Sequence, residues 1–458
     1  MIHKTLKQIA AMIGIESHHP HFEEIIVTGV TIDSRKIESG NLFIPFKGEK
    51  VDGHKFVEEA IHRGAVAALW QKDVPNPPKH LPLLMVEDSL TALQDLASNY
   101  RNQLDIKVLG ITGSNGKTTT KDIAANLLSL KYKVQKTEGN FNNHIGLPLT
   151  ILSLKEEAQI AVLEMGMSSR GEIEFLTKLA KPDAVIITNI GESHLLDLGS
   201  REAIAEAKLE IILGLKENGF IIYHGDEPLL QERLQTYNGT GVLKTFGRTP
   251  NNDLYPVHIE QEGAGSRFIT NRSEVMFNLP ILGTHNILNA LAAMMAADFF
   301  GVSYSNMNEG FANLKLTNMR MELVEGQSGE RIINDAYNAS PTSMKAAIEL
   351  VAQSNGYKRK ILVLGDMLEL GPLEEEFHYQ IGHSLDQEKI DYVFTFGRLG
   401  TFIGNGAKQA LGADRVFSYE EKTSLIKHLQ DKVTSETLVL VKASRGMKLE
   451  EVVAELQK

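Results

Sequence analysis

At 458 residues the chain is too long for one ordinary domain, and the usual domain size predicts about three. Its 42% hydrophobic and 23% charged residues exclude a disordered or fibrous chain, and the absence of cysteine excludes disulfides and thiolate metal sites. A net charge of -11 argues against a general nucleic-acid binder, which needs a basic face, but not against a small anionic substrate, because exposed charges are screened beyond about 8 Å.

Leu6, Ile9 and Ile13 recur at helical spacing beside Lys4 and Lys7, and no small-residue cleavage site follows, which predicts an amphipathic helix and not a signal peptide. Short β-rich runs come next at Ile25–Ile32, Ala65–Trp70 and Leu83–Val86, with a proline-rich loop at Val74–Pro82 and a helical pattern in Leu90, Leu93 and Leu96. From Ile106 apolar strands alternate with amphipathic helices, the pattern of a parallel sheet with crossover helices, with strands expected at Val108–Thr112, Ile160–Leu163 and Ala184–Thr188. A further α/β unit begins near Thr317, with strands expected at Ile361–Leu364, Tyr392–Phe396 and Leu438–Val441. The expected domains are therefore 1–104, 105–316 and 317–458, the first a small mixed α/β unit. The longest apolar stretch, Ala290–Ala297, is closed by Asp298 and falls short of the roughly 20 residues that span a bilayer, so a soluble cytoplasmic protein without membrane insertion is expected.

The strongest local signal is GITGSNGKTTT, Gly110–Thr120, which follows a strand and opens a helix carrying Ile123, Leu127 and Leu130 on one face. Gly113 and Gly116 let the backbone of Gly113, Ser114, Asn115 and Gly116 curl its N–H groups towards phosphate oxygens, and the helix N-terminus adds its dipole. Lys117 supplies positive charge to the β and γ phosphates, and the hydroxyl of Thr118, next to Thr119, suits Mg2+. Ile111 stands where the strict phosphate-loop pattern has glycine, so the motif is a variant.

Three further residues are placed for chemistry. Glu164 ends the strand Ile160–Leu163, and in an open parallel sheet that edge lines the ligand crevice, so Glu164 is either a Mg2+ ligand or a solvated or capping strand end. His194, in the NIGESH loop after the next strand, is either a ligand at the same edge or a structural loop histidine. Lys208 lies four residues from both Ile204 and Ile212, on the apolar stripe of a helix expected over Ser200–Leu215. Its head snorkels to water, pairs with a phosphate or carboxylate, or loses its charge; a neutral lysine amine can take up carbon dioxide as a carbamate, an anion able to sit near a metal.

With these residues assembled, the chain resembles the Mur ligase family along all three segments, through TGSNGKTTT, EGNFNNHIGLP (Glu138–Pro148) and EMGMSSRGEI (Glu164–Ile173). The last two resemble the family branch that adds D-alanyl-D-alanine. The resemblance implies a UDP-substrate domain, a central ATP-binding phosphate-loop domain and a C-terminal Rossmann-like ligase domain. It further implies two Mg2+ ions, held by Thr118, Glu164, His194 and Lys208, with Lys208 carbamylated by CO2, and a catalytic set of Lys117, Glu164, His194 and Lys208.

TIDSR (Thr31–Arg35) and FKGEKVDGHKF (Phe46–Phe56) resemble the family's UDP segment, which nominates Ser34, Arg35, Gly48, Asp52, Gly53 and His54 for substrate. Asn140, Asn142 and Asn143 offer amide donors and acceptors to a polar phosphorylated peptide. GTHNILNA (Gly283–Ala290) resembles the adenine and ribose segment, with His285, Asn286 and Asn289, while Arg320 is expected at a phosphate and Asp335 near the nucleotide. Tyr337, Asn338, Lys442, Ser444 and Arg445 are expected around the incoming dipeptide; relatives often carry Gly where Ala443 stands.

The activity implied is ATP-dependent joining of D-alanyl-D-alanine to UDP-N-acetylmuramoyl tripeptide through an acyl phosphate, by a monomer. Two rivals remain: another amide ligase of the same architecture, such as a folylpolyglutamate-type enzyme, and a phosphate-loop ATPase that switches shape. The first segment disfavours the former, which has no use for a UDP-binding domain.

Overall fold

The computed structural model describes residues 1–16, 20–262 and 265–458. The β-rich run Ile25–Ile32 is split at Gly29, whose φ of 105 turns the chain, into Ile26–Thr28 and Val30–Thr31. Ile26–Thr28 pairs antiparallel with His3–Thr5, while Val30–Thr31 begins a parallel four-stranded sheet continued by Leu42–Phe43, Ala67–Gln71 and Leu83–Val86. Helix Ser89–Gln103 follows; its buried Leu93, Leu96 and Tyr100 belong to the same apolar cluster as Leu147, Ile151 and Leu163 of the next segment.

The central sheet is six parallel strands in the order Val242–Phe246, Phe220–His224, Ala184–Ile187, Lys107–Thr112, Ile160–Glu164 and Val134–Lys136. Every residue of Ile160–Glu164 and of Ala184–Ile187 is buried, as expected of strands covered on both faces. The register sets Glu164 beside Ile111, so its carboxylate leaves the sheet next to the phosphate loop. The apolar stretch Ala290–Ala297 lies in helix Thr284–Phe299, which packs against the phosphate-loop helix Lys117–Leu128 with all eight of those residues buried, a core helix and not a span. Among the described residues no helix is long and apolar enough to cross a membrane.

Two features depart from expectation. The helix expected over Ser200–Leu215 is α-helical only at Arg201–Leu209 and then tightens to a 3-10 turn at Glu210–Gly214. An antiparallel three-stranded sheet, Pro256–Glu262, Gly265–Thr270 and Ser273–Leu279, comes in the chain between strand Val242–Phe246 and helix Thr284–Phe299 and was not foreseen, since its strands carry no long apolar run. The last sheet runs Glu322–Glu325, Arg331–Asp335, Thr437–Lys442, Arg359–Gly365, Tyr392–Phe396 and Val416–Tyr419, parallel except for its first pair.

Candidate active site

The loop after strand Ala184–Ile187 shapes the phosphate loop. Ser114 N donates to Asn189 O at 3.0 Å and Asn115 N to Asn189 Oδ1 at 2.9 Å, while Thr188 Oγ1 donates to Asn115 O at 2.6 Å. Gly113 and Gly116 have φ of 145 and 80, and a Cβ there would stand 1.8 Å from Thr188 Oγ1 and 2.3 Å from Asn289 Oδ1, so both positions require glycine. Lys117 opens helix Lys117–Leu128 and folds back, donating to Gly113 O at 2.7 Å and Ser114 O at 3.4 Å. Burial lowers its pKa from the ordinary lysine value, with Glu164 opposing the shift and Arg320 adding to it. A phosphate in the loop would give this ammonium a full countercharge in place of carbonyl dipoles.

Thr118 Oγ1 donates to Glu164 Oε2 at 2.9 Å, Asn142 Nδ2 to Glu164 Oε1 at 2.8 Å, and Arg320 Nη2 to Thr118 Oγ1 at 3.2 Å. A hydroxyl and a carboxylate side by side at the edge of a polar cavity are the oxygen donors a hard divalent cation takes, so this pair fits Mg2+. His194 lines the same cavity but engages another partner: its Nδ1 lies 2.8 Å from Glu369 Oε2. The ligand atoms of His194, Asp197 and Glu369 all lie within 4.8 Å of one another. Lys208 is buried, has no carboxylate partner among the described residues, and is held well below the ordinary lysine pKa by burial and then by the charge of Lys117. An ammonium would not ligate a metal, whereas a neutral lysine amine is the form that takes up CO2.

A cavity of about 380 Å3 gathers most of the expected residues. Ser114 to Thr119, Asn140, Asn142, Asn143, Glu164, His194, His285, Asn286, Asn289, Arg320, Asp335, Tyr337, Asn338 and Lys442 all line it. Asn142 and Asn143 face it as part of its frame: Asn142 holds Glu164, and Asn143 Oδ1 accepts from Ile145 N at 3.1 Å and Gly146 N at 2.8 Å, anchoring the start of helix Gly146–Ser153. Asn289 Nδ2 donates to Asn286 Oδ1 at 2.9 Å, and burial lowers the His285 imidazole to a pKa of about 4, so it is neutral at pH 7. Lys442 is buried in an ion pair with Asp335 and also donates to Asn338 O at 3.0 Å. Arg320 lies over the Tyr337 ring, its guanidinium carbon 4.0 Å from the centroid.

The remaining expected residues lie outside this cavity. Ser444 Oγ accepts from Leu368 N at 2.9 Å, and Arg445 pairs with Glu450 at 2.5 Å. Ser34, Arg35, Gly48, Asp52, Gly53 and His54 occupy loops that leave one edge of the four-stranded sheet, after Val30–Thr31 and Leu42–Phe43. Arg35 is exposed and paired with Asp33 at 2.8 Å. His54 is buried with both ring nitrogens engaged, Nδ1 at 2.6 Å from Asp52 Oδ1 and Nε2 accepting from Gln71 N at 3.1 Å.

Sequence reasoning missed several lining residues: Gly166, Met167 and Ser168 beyond Glu164, His224, Thr342 and Ser343. His224 ends strand Phe220–His224 at the same sheet edge as Glu164, so the rule that picked out Glu164 could have found it. Thr342 and Ser343 open helix Pro341–Gln353 under a Ser340 cap, a pattern visible in SPTS.

A phosphate loop, a carboxylate at the adjoining strand end and a second α/β sheet across one cleft define a nucleotide-using α/β enzyme whose substrates meet between domains. The chain belongs to the Mur ligase family. Models described as Mur ligase family catalytic domain, Mur ligase middle domain and Mur ligase glutamate ligase domain match residues 26–101, 111–297 and 319–445. UDP-N-acetylmuramoyl-tripeptide--D-alanyl-D-alanine ligase of Bacillus subtilis is 53% identical over 456 residues, covering 100% of this chain and 99% of its own. The crystal structure of MurF from Acinetobacter baumannii superposes with a TM-score of 0.90 at 29% identity, over 100% of this chain and 99% of that one. MurF ligase from Thermotoga maritima in complex with ADP gives 0.82 at 30% identity, over 94% and 97%.

Proposed function

We propose that this protein joins D-alanyl-D-alanine to UDP-N-acetylmuramoyl tripeptide with hydrolysis of ATP to ADP and phosphate, a reaction placed in the cytoplasm by its need for ATP. The observation that carries it is the single cavity in which the phosphate loop, the asparagine-rich segment and the last sheet meet, together with full-length likeness to a ligase of that name.

The tripeptide's terminal carboxylate is a poor acyl donor until one of its oxygens becomes a good leaving group. Its attack on the γ-phosphorus forms the acyl phosphate and releases ADP; the neutral amine of D-alanyl-D-alanine then attacks the acyl carbon, the amide forms, and phosphate and a proton leave. Lys117 and Arg320 place positive charge around the transferring phosphoryl group, and Tyr337 fixes the Arg320 plane. Neutral His285, with Asn286 and Asn289, offers hydrogen bonds to base and ribose. Asn140, Asn338 and the Lys442–Asp335 pair border the space left for the dipeptide. Mg2+, when bound, would be held by Thr118 and Glu164, with His194 lining the same cavity, and would offset phosphate charge. Lys208 as a carbamate, formed from its neutral amine and CO2 with loss of a proton, would place an anion near the Lys117 ammonium. Ser34, Arg35, Gly48, Asp52, Gly53 and His54 are assigned to the UDP end, His54 by holding its loop. Ser444 and Arg445 are assigned to the rim that shapes the dipeptide's entrance.

The test is phosphate release from ATP with UDP-N-acetylmuramoyl tripeptide, with and without D-alanyl-D-alanine, and mass spectrometry of the product. A UDP-linked pentapeptide formed only with both substrates is expected. Steady ATP hydrolysis that needs neither substrate would favour a switch instead.

A further inference from the structure

The chain that joins the central sheet to the last one passes the phosphate-loop helix at Thr317. Asp122, one turn beyond Thr118 on that helix and 1% exposed, accepts through Oδ2 from Thr317 N at 2.8 Å and Thr317 Oγ1 at 2.9 Å. Through Oδ1 it accepts from Lys136 Nζ at 2.6 Å. Lys121, fully buried, stands by the same oxygen, with Nζ 3.6 Å from Asp122 Oδ1 and 4.0 Å from Glu164 Oε2.

Three residues past Thr317, Arg320 returns to the same helix and donates to Thr118 Oγ1 at 3.2 Å. Between these two ties the backbone is strained: Met319 and Met321 have φ of 60 and 53, a region that residues with a Cβ avoid. The strain is held by Met319 N donating to Glu322 Oε2 at 3.0 Å and Met321 N to Asp335 Oδ1 at 3.2 Å, both acceptors belonging to the last sheet. Beside the segment lies a cavity of about 230 Å3 lined by Leu282, Leu316, Asn318, Met321 and Leu323, which leaves it room to move. A strained, loosely packed connection tied at both ends to one helix has the construction of a hinge.

We propose that Asp122 is a positioning residue for phosphoryl transfer: by fixing Thr317 to the phosphate-loop helix, it makes rotation about Met319–Met321 deliver Arg320 to the transferring phosphate. This rests on the assignment of Arg320 to a phosphate. Asp122 touches no reactant and acts through the guanidinium. Lys136 and Lys121 supply the charge that keeps its carboxylate tolerable in a buried setting.

The test is a double-mutant cycle on the full chain with ATP, UDP-N-acetylmuramoyl tripeptide and D-alanyl-D-alanine. Asp122→Asn should lower kcat about tenfold with little change in the KM for the dipeptide, since small misplacements of a charge-stabilising group act on the transition state. In an Arg320→Lys background the same change should cost less than about twofold, because a residue acting through Arg320 has little left to misplace. Lys136→Met, which keeps the Thr317 contacts but removes a countercharge, should lower stability while lowering kcat less than Asp122→Asn does. Thr317→Val, which leaves the carboxylate in place, should follow Asp122→Asn in direction. Hydrogen exchange on the intact protein should quicken at Met319 and Met321 in Asp122→Asn while the phosphate-loop helix keeps its protection. Equal losses in both backgrounds, or unchanged exchange at the two methionines, would overturn the hinge. Undiminished activity in Arg320→Lys and Arg320→Ala would instead remove the phosphate assignment and leave the exchange result to judge Asp122 alone.

Discussion

At the scale of single residues the site is defined by groups whose burial sets their charge. Lys208 is buried near Lys117, and burial and then that charge hold its pKa well below the ordinary lysine value, so a carbamate there would set an anion near the Lys117 ammonium. Lys208→Ala should therefore abolish turnover, with partial recovery in short added carboxylates, and the parent should lose activity when bicarbonate and CO2 are stripped from the buffer. Full activity in the alanine variant would end the carbamate role. Burial acts in the same direction on His285. Its folded pKa of about 4 lies below the ordinary 6.5, so above pH 6.5 neither folded nor unfolded imidazole carries a proton and the residue is neutral to stability. As pH falls from 6.5 towards 4 the unfolded chain takes up a proton that the folded one refuses, and stability is lost across that window. Urea unfolding at pH 7 and pH 5 should show the parent losing about 1–2 kcal/mol more than His285→Gln.

At the scale of elements, loops are held by side chains that the sequence presents as ligands. His54 is the clearest case. The resemblance nominated this histidine for substrate, and the imidazole bridges Asp52 and the backbone of Gln71, which ties the loop to strand Ala67–Gln71. His54→Ala should cost about 2 kcal/mol of stability, the penalty for leaving Gln71 N without its acceptor, and should raise the KM for the UDP substrate more than it lowers kcat. Calorimetry with initial rates would show it; an unchanged Tm would mean the loop is held by other means. Elements whose periodicity dominates were legible in the sequence: the strands around Thr112, Glu164 and Ile187 and the helix opened by Lys117 fall where apolar runs and glycines put them. The same signals failed where tertiary contacts decide. That Asn142 also holds Glu164 and Asn143 the start of a helix is known only once strand register is fixed. The split at Gly29 and the tightening after Leu209 were equally invisible, because each depends on what the chain packs against afterwards. His224 and Thr342 could have been found, by applying to every strand end and helix start the rule applied to Glu164.

At the scale of the whole molecule, the central and last sheets meet through a small number of polar contacts grouped around the nucleotide cavity. Ser340 Oγ donates to Asn115 Oδ1 at 3.2 Å, Leu196 N to Glu369 O at 3.0 Å, and Glu192 accepts from Thr342 Oγ1 at 2.8 Å and from Thr342 N at 3.3 Å. The last of these sets a carboxylate against the positive end of helix Pro341–Gln353, a geometry worth about 1 kcal/mol when partly exposed. Interactions of that size suit a joint that must open to admit a UDP-linked peptide and close to expel water from an acyl phosphate: too many would trap product, and none would leave the intermediate to hydrolyse. Removing one should shift the balance by a measurable amount without unfolding either side. Glu192→Ala, which leaves the phosphate loop and Arg320 intact, should lower kcat/KM for the dipeptide about fivefold, the factor that corresponds to 1 kcal/mol. It should also enlarge the radius of gyration of the ligand-free protein in small-angle scattering. High salt should produce part of the same change in the parent and little in the variant, since the carboxylate of Glu192 acts on the helix end by electrostatic attraction. If the variant matched the parent in scattering and rate at every salt concentration, closure would rest on the Arg320 segment alone.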